Sequence, residues 1–108
     1  MVEVVVQREP TPPSIAELQS EGFSREMVEA AARAGLLVRI SPELVLSPAF
    51  VERARNTIEE RATQGITVST FRELMGTSRK YALPLLEWFD QHGVTRRDGD
   101  LRVLRGSS

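Results

Sequence analysis

The 108-residue chain contains no cysteine and a single histidine. Disulfides, zinc ribbons, thiol catalysis and cysteine-held iron–sulfur clusters are therefore excluded. No apolar run approaches the roughly 20 residues that span a bilayer. The opening Met1-Val2-Glu3-Val4-Val5-Val6 has neither the basic start nor the long apolar core of a secretory signal. There is no GxxxxGK[ST] phosphate loop and no GxGxxG turn, so the sequence gives no sign of nucleotide chemistry. The length also leaves no room for a two-domain GTPase or dehydrogenase.

What is present is the balance of a folded chain, with 41% hydrophobic and 27% charged residues. The net charge of -1 argues against a polyanionic partner at first sight. It hides a split. Residues 1–64 carry 7 Arg/Lys against 10 Asp/Glu, a net of -3, whereas residues 65–108 carry 7 against 5, a net of +2. The basic surplus gathers at Arg79-Lys80, Arg96-Arg97, Arg102 and Arg105.

Hydrophobic spacing and breakers divide the chain. Val2–Val6 reads as a short strand because its residues are β-branched and nothing interrupts them. The Glu-Pro-Thr-Pro-Pro run over 9–13 is a stiff connection. Ser14-Ile15-Ala16-Glu17 has the form of a capping box, and a short helix follows to Gly22. Ser24 opens a second helix that Gly35 closes. Leu36–Ile40 and Leu44–Leu46 form two short strands around Ser41-Pro42-Glu43. Ser47-Pro48 is a helix start, and Phe50, Val51, Ala54, Ile58 and Ala62 line one face of a long helix ending at Gly65.

The order then repeats. Ile66–Val68 is a brief extended step, and Val68–Met75 a short helix ending at Gly76. Thr77-Ser78 caps a longer helix to about His92. A hairpin around the Asp98-Gly99 turn completes the unit, and Gly106-Ser107-Ser108 is expected to fray. Two short helices followed by a hairpin form a helix-turn-helix with a wing. The fold class is thus mostly α with small β hairpins, an α+β arrangement of tandem winged helices. Residues 1–47 form the first unit, which lacks a helix before its opening strand and is expected to be incomplete, a piece of something larger. Residues 48–108 form a full winged helix in which 48–64 is the linking and first helix.

Catalytic chemistry finds little support. His92 ends a helix, where a partial negative charge favours an imidazolium without any catalytic role. Asp98 and Asp100 flank a turn glycine, and the turn itself accounts for them. No metal or cofactor is expected in this chain. A binding surface is better supported. The helix opening Thr77-Ser78-Arg79-Lys80-Tyr81 combines unpaired backbone N–H groups with hydroxyls and two cations, a complement to phosphate. Arg96, Arg97 and Arg102 on the wing extend this basic stripe, and Arg72 on the preceding helix either joins it or pairs with neighbouring carboxylates. Glu87 and Asp90 are placed on the exposed side further along the helix, where a DNA backbone would repel them. End-on contact by the helix start therefore favours RNA. Tyr81 is a candidate to stack a base, although core packing also accounts for it. Pro84 is expected to bend the same helix.

The run Gly76-Thr77-Ser78-Arg79-Lys80-Tyr81-Ala82-Leu83-Pro84-Leu85-Leu86-Glu87, with its continuation His92-Gly93-Val94-Thr95-Arg96-Arg97 to Arg105, resembles the last winged helix of the bacterial selenocysteine-specific elongation factor (SelB) family. Residues 67–105 carry the resemblance densely, and 14–64 more weakly. The resemblance implies a non-catalytic module that binds the SECIS stem-loop of an mRNA. It implies that Thr77–Lys80 and the arginines 96, 97 and 102 contact the RNA. It also implies that the parent is a cytoplasmic GTPase that meets GTP, the ribosome and selenocysteinyl-tRNA through other segments. A monomer without membrane contact is expected. The alternatives are a DNA-binding winged-helix regulator and a protein-interaction winged helix.

Overall fold

A computed structural model describes residues 1–105; the Gly106–Ser108 tail expected to fray lies outside the described residues. The chain divides into two compact units, Met1–Glu52 and Arg53 onward.

The first unit holds helices α1 (Val2–Arg8), α2 (Ile15–Ser20) and α3 (Arg25–Arg33), then the antiparallel strands β1 (Val38–Ser41) and β2 (Leu44–Leu46). The opening segment is helix, not the strand that its valines predict. Burial gives the reason. A strand would place Val2, Val4 and Val6 on one face. Instead Met1, Val2, Val4 and the fully buried Val5 pack on the core, a helical spacing, while Val6 stays 48% exposed. Valine loses only about 0.5 kcal/mol to alanine in helix propensity, whereas burying one valine gains roughly 1.5 kcal/mol or more, so packing decides. A helix therefore does precede the α2–α3 pair. Ile15, Leu18, Val28, Ala31, Leu37 and Val45 complete this core.

Caps fix the helix starts. Ser14 accepts from the Glu17 N–H at 3.1 Å, and Glu17 accepts from the Ser14 N–H at 2.9 Å, the predicted capping box. Ser24 accepts from the Met27 N–H. Helix α4 (Pro48–Arg61) follows. Ser47 accepts from the Phe50 N–H, and its own N–H and Oγ donate to the Glu9 carboxylate at 2.7 and 2.8 Å. The proline-rich connection is thereby fastened to the helix start.

From Arg53 on, the rest of α4 leads to β3 (Ile66–Thr67), α5 (Val68–Met75), α6 (Arg79–Gln91), β4 (Thr95–Asp98) and β5 (Leu101–Leu104). The three strands form an antiparallel sheet in the order β3-β5-β4. The brief extended step is thus the third strand of the wing, pairing Ile66 with Arg102 and Thr67 with Leu101. Gly65 permits this approach. Its φ is +101°, and a Cβ there would lie 2.9 Å from Leu101 Cδ1. Thr67 caps α5 by accepting from the Thr70 N–H. Gly76, at φ +70°, ends α5 so that the Thr77 N–H returns to the Arg72 carbonyl at 2.9 Å. Phe71, Ala82, Leu85, Leu86 and Phe89 are the buried residues of α5 and α6. Helix α6 runs continuously through Pro84.

Candidate nucleic-acid interface

The start of α6 is an open donor surface. Ser78 occupies the N-cap position, but its side chain makes no capping bond, unlike that of Ser24 at the corresponding place in the first unit. The first i to i−4 bond of the helix is donated by Ala82 to the Ser78 carbonyl. The N–H groups of Arg79 and Lys80 precede it and point out of the helix end. Ser78, Arg79 and Lys80 are exposed, and Thr77 and Tyr81 are half-buried. The Lys80 ammonium lies 5.4 Å from the Tyr81 ring centroid, a cation–π distance that ties the two side chains together.

The wing supplies the second element. In β4 and β5, Arg96 opposes Val103 and Arg97 opposes Arg102. Strand alternation puts Arg97 and Arg102 on one face and Arg96 on the other. Asp98 still pairs with Leu101, so Gly99 and Asp100 are the two turn residues, with Gly99 at φ +63° in the first position. The turn lies one residue further along than the expected Asp98-Gly99 turn, and a first-position glycine is what a II′ hairpin requires. Arg97 Nε donates to the Gly99 carbonyl at 3.1 Å, which steadies its exposed side chain at the tip.

Between these elements lies a cavity of about 290 Å³, lined by Thr67, Val68, Ser69, Arg79, Leu83, Glu87, Arg97, Asp100 and Arg102. Of the residues singled out in the sequence, it brings together Arg79, Arg97 and Arg102. Lys80, the next residue of α6, is not among the lining residues. Arg96 is on the opposite face of the wing, and Arg72, half-buried on α5, is not among the lining residues. Thr67, Val68, Ser69 and Leu83 are not marked by the sequence as site residues. The pairing of β3 with β5 that carries the first of them to the wing leaves no mark in the letters.

Two expectations need correction. Arg102 does not project from the wing. It is 3% exposed, and its Nε donates to Asp90 Oδ2 at 3.2 Å. Asp90 in turn is not a solvated carboxylate of the outer helix face, because it also accepts from the buried Thr95 hydroxyl at 2.6 Å. The network ties both wing strands to α6. It forms because Thr95 and Arg102 share the face that β4 and β5 turn to the helix. His92 is likewise engaged locally. Its ring stacks on Trp88 at 3.9 Å, and Nδ1 lies 2.8 Å from the Trp88 carbonyl.

A helix-turn-helix whose second helix is flanked by a hairpin, with a short strand just before its first helix closing the sheet, defines a winged-helix domain. Residues 59–104 match the family model described as elongation factor SelB, winged helix. Over that stretch the chain is similar to the winged helix of the SelB elongation factors. A selenocysteine-specific elongation factor from Desulfomicrobium baculatum is 29% identical over 102 residues, covering 87% of this chain and 16% of that protein. The chain thus spans about a sixth of the length of this curated relative. Among solved structures, the mRNA-binding domain of elongation factor SelB from E. coli in complex with SECIS RNA aligns with a TM-score of 0.69 and 28% identity, covering 76% of this chain and 69% of that one. A bacterial selenocysteine-specific elongation factor, EF-Sec, aligns at 0.76 and 27% identity, covering 86% of this chain and 16% of that one. Among the described residues no helix is long and apolar enough to cross a membrane.

Proposed function

We propose that this chain binds an mRNA stem-loop of the SECIS class through its second unit, without catalysis, and so tethers a selenocysteine-specific elongation factor to its message. The observation that carries the reading is the groove where Arg79 at the start of α6 and Arg97 on the wing line one cavity. Likeness to a SelB domain solved with SECIS RNA supports it. Arg79, Lys80 and Arg97 neutralise backbone phosphates, Ser78 and the first N–H groups of α6 orient one of them, and Thr77 supports that helix start. Tyr81, held under Lys80, is available to stack a loop base. Arg96 and Arg72 lie off the groove and act as peripheral cations. GTP hydrolysis and contacts with the ribosome and selenocysteinyl-tRNA belong to other parts of such a factor, which works in the cytoplasm.

The test is fluorescence anisotropy of the chain with a SECIS-type hairpin, a loop-scrambled hairpin and a DNA duplex, at about 50 and about 200 mM salt. Tight binding to the first alone, weakened by salt, is expected. Arg79→Ala should lower the slope of log affinity against log salt by about 1. Equal, weak binding to all three contradicts the reading.

A further inference from the structure

We propose that Arg102 is a pre-aimed receptor for one RNA phosphodiester at the floor of the groove, held in place by Asp90 and Thr95 as positioning residues. The inference rests on the RNA reading above and adds a rigid anchor to it.

Arg102 is almost wholly buried, yet it lines the cavity. Its Nε is committed to Asp90. Among the described residues no buried side-chain nitrogen or oxygen lacks a hydrogen-bond partner. Among the described residues no partner stands against the two terminal nitrogens of Arg102, so they keep a small contact with solvent, and the cavity that Arg102 lines is the groove. The guanidinium is therefore fixed along one edge and unoccupied along the other. That outer edge is a planar fork of donors, which fits the two non-bridging oxygens of a phosphate.

The surroundings favour a phosphate. Arg79 and Arg97 bring two further cations to the lining beside Arg102, while Glu87 and Asp100 on the same lining, and Asp90 on Arg102, balance the three in the free protein. Ser69 adds a hydroxyl donor. Asp90 is shared between Arg102 and Thr95, and this fixes the angle of the fork before any ligand arrives. Arg79 is exposed and must lose side-chain freedom on binding. Arg102 has already lost it, so its contact costs less to form.

The experiment uses the full chain and hairpins carrying one neutral methylphosphonate linkage at a time. At one linkage, neutralisation is expected to weaken wild-type binding by about tenfold or more, as for a lost charge-assisted hydrogen bond. In Arg102→Lys, which keeps the charge but not the fork, the unmodified hairpin is bound more weakly and the penalty at that linkage shrinks to what a point charge retains. Wild-type NMR supplies a second readout that needs no variant. The Arg102 Nη protons should become resolved and slowly exchanging when the hairpin binds. If the hairpin is bound but Arg102→Lys binds within about twofold of wild type, or the Nη protons stay averaged, this inference falls while the RNA reading stands. If wild type binds no hairpin, both fall.

Discussion

Asp90 holds two groups at once, the Thr95 hydroxyl and the Arg102 guanidinium. Removing it strands a buried cation, which typically costs about 3 kcal/mol, because desolvation is then uncompensated. Asp90→Ala should therefore lower the stability of the chain by about that amount in urea unfolding. The exposed Arg55–Glu59 pair on α4 provides the contrast. Glu59→Ala should change stability by less than about 1 kcal/mol, since both partners are half in water. A large loss in Glu59→Ala, or none in Asp90→Ala, would contradict this ranking of the two pairs. The sequence hid the difference. Arg102 reads as one more wing arginine until the register sets it opposite Arg97 and turns its face to α6.

At the scale of the element, Ser24 and Ser78 stand before corresponding helices and do different work. Ser24 closes the first turn of α3 on the Met27 N–H, whereas Ser78 leaves the start of α6 uncapped by its side chain. Ser24→Ala should cost about 1 kcal/mol and Ser78→Ala only a few tenths, a difference visible in thermal unfolding. Ser78→Ala should instead weaken hairpin binding. Most elements were legible because their punctuation is local. The capping box at Ser14, the Ser47-Pro48 start and the glycines after each helix mark boundaries that the structure shares. Helix α1 was not legible, because its valines carry a strand propensity that only the core of the first unit overrides. The third strand of the wing was seen as an extended step, but its partner, 36 residues away at Arg102, was not.

At the scale of the molecule, charge separates the units. Residues 1–52 hold four arginines against eight glutamates, a net of -4, and residues 53–108 hold ten basic against seven acidic side chains, a net of +3. A polyanion is steered to the second unit and repelled by the first. The candidate site was therefore half legible. Composition pointed to the basic half and the Thr77–Lys80 run to the helix start, but the lining of the groove depended on a fold that brings together residues 67 and 102. The most direct measurement is an amide chemical-shift titration of the full chain with a SECIS-type hairpin. Perturbations should cluster at Thr67–Ser69, Ser78–Tyr81, Arg97 and Arg102, and leave α1 to α3 in place. Shifts concentrated on α3 and the β1–β2 hairpin, with the groove unmoved, would contradict the central claim.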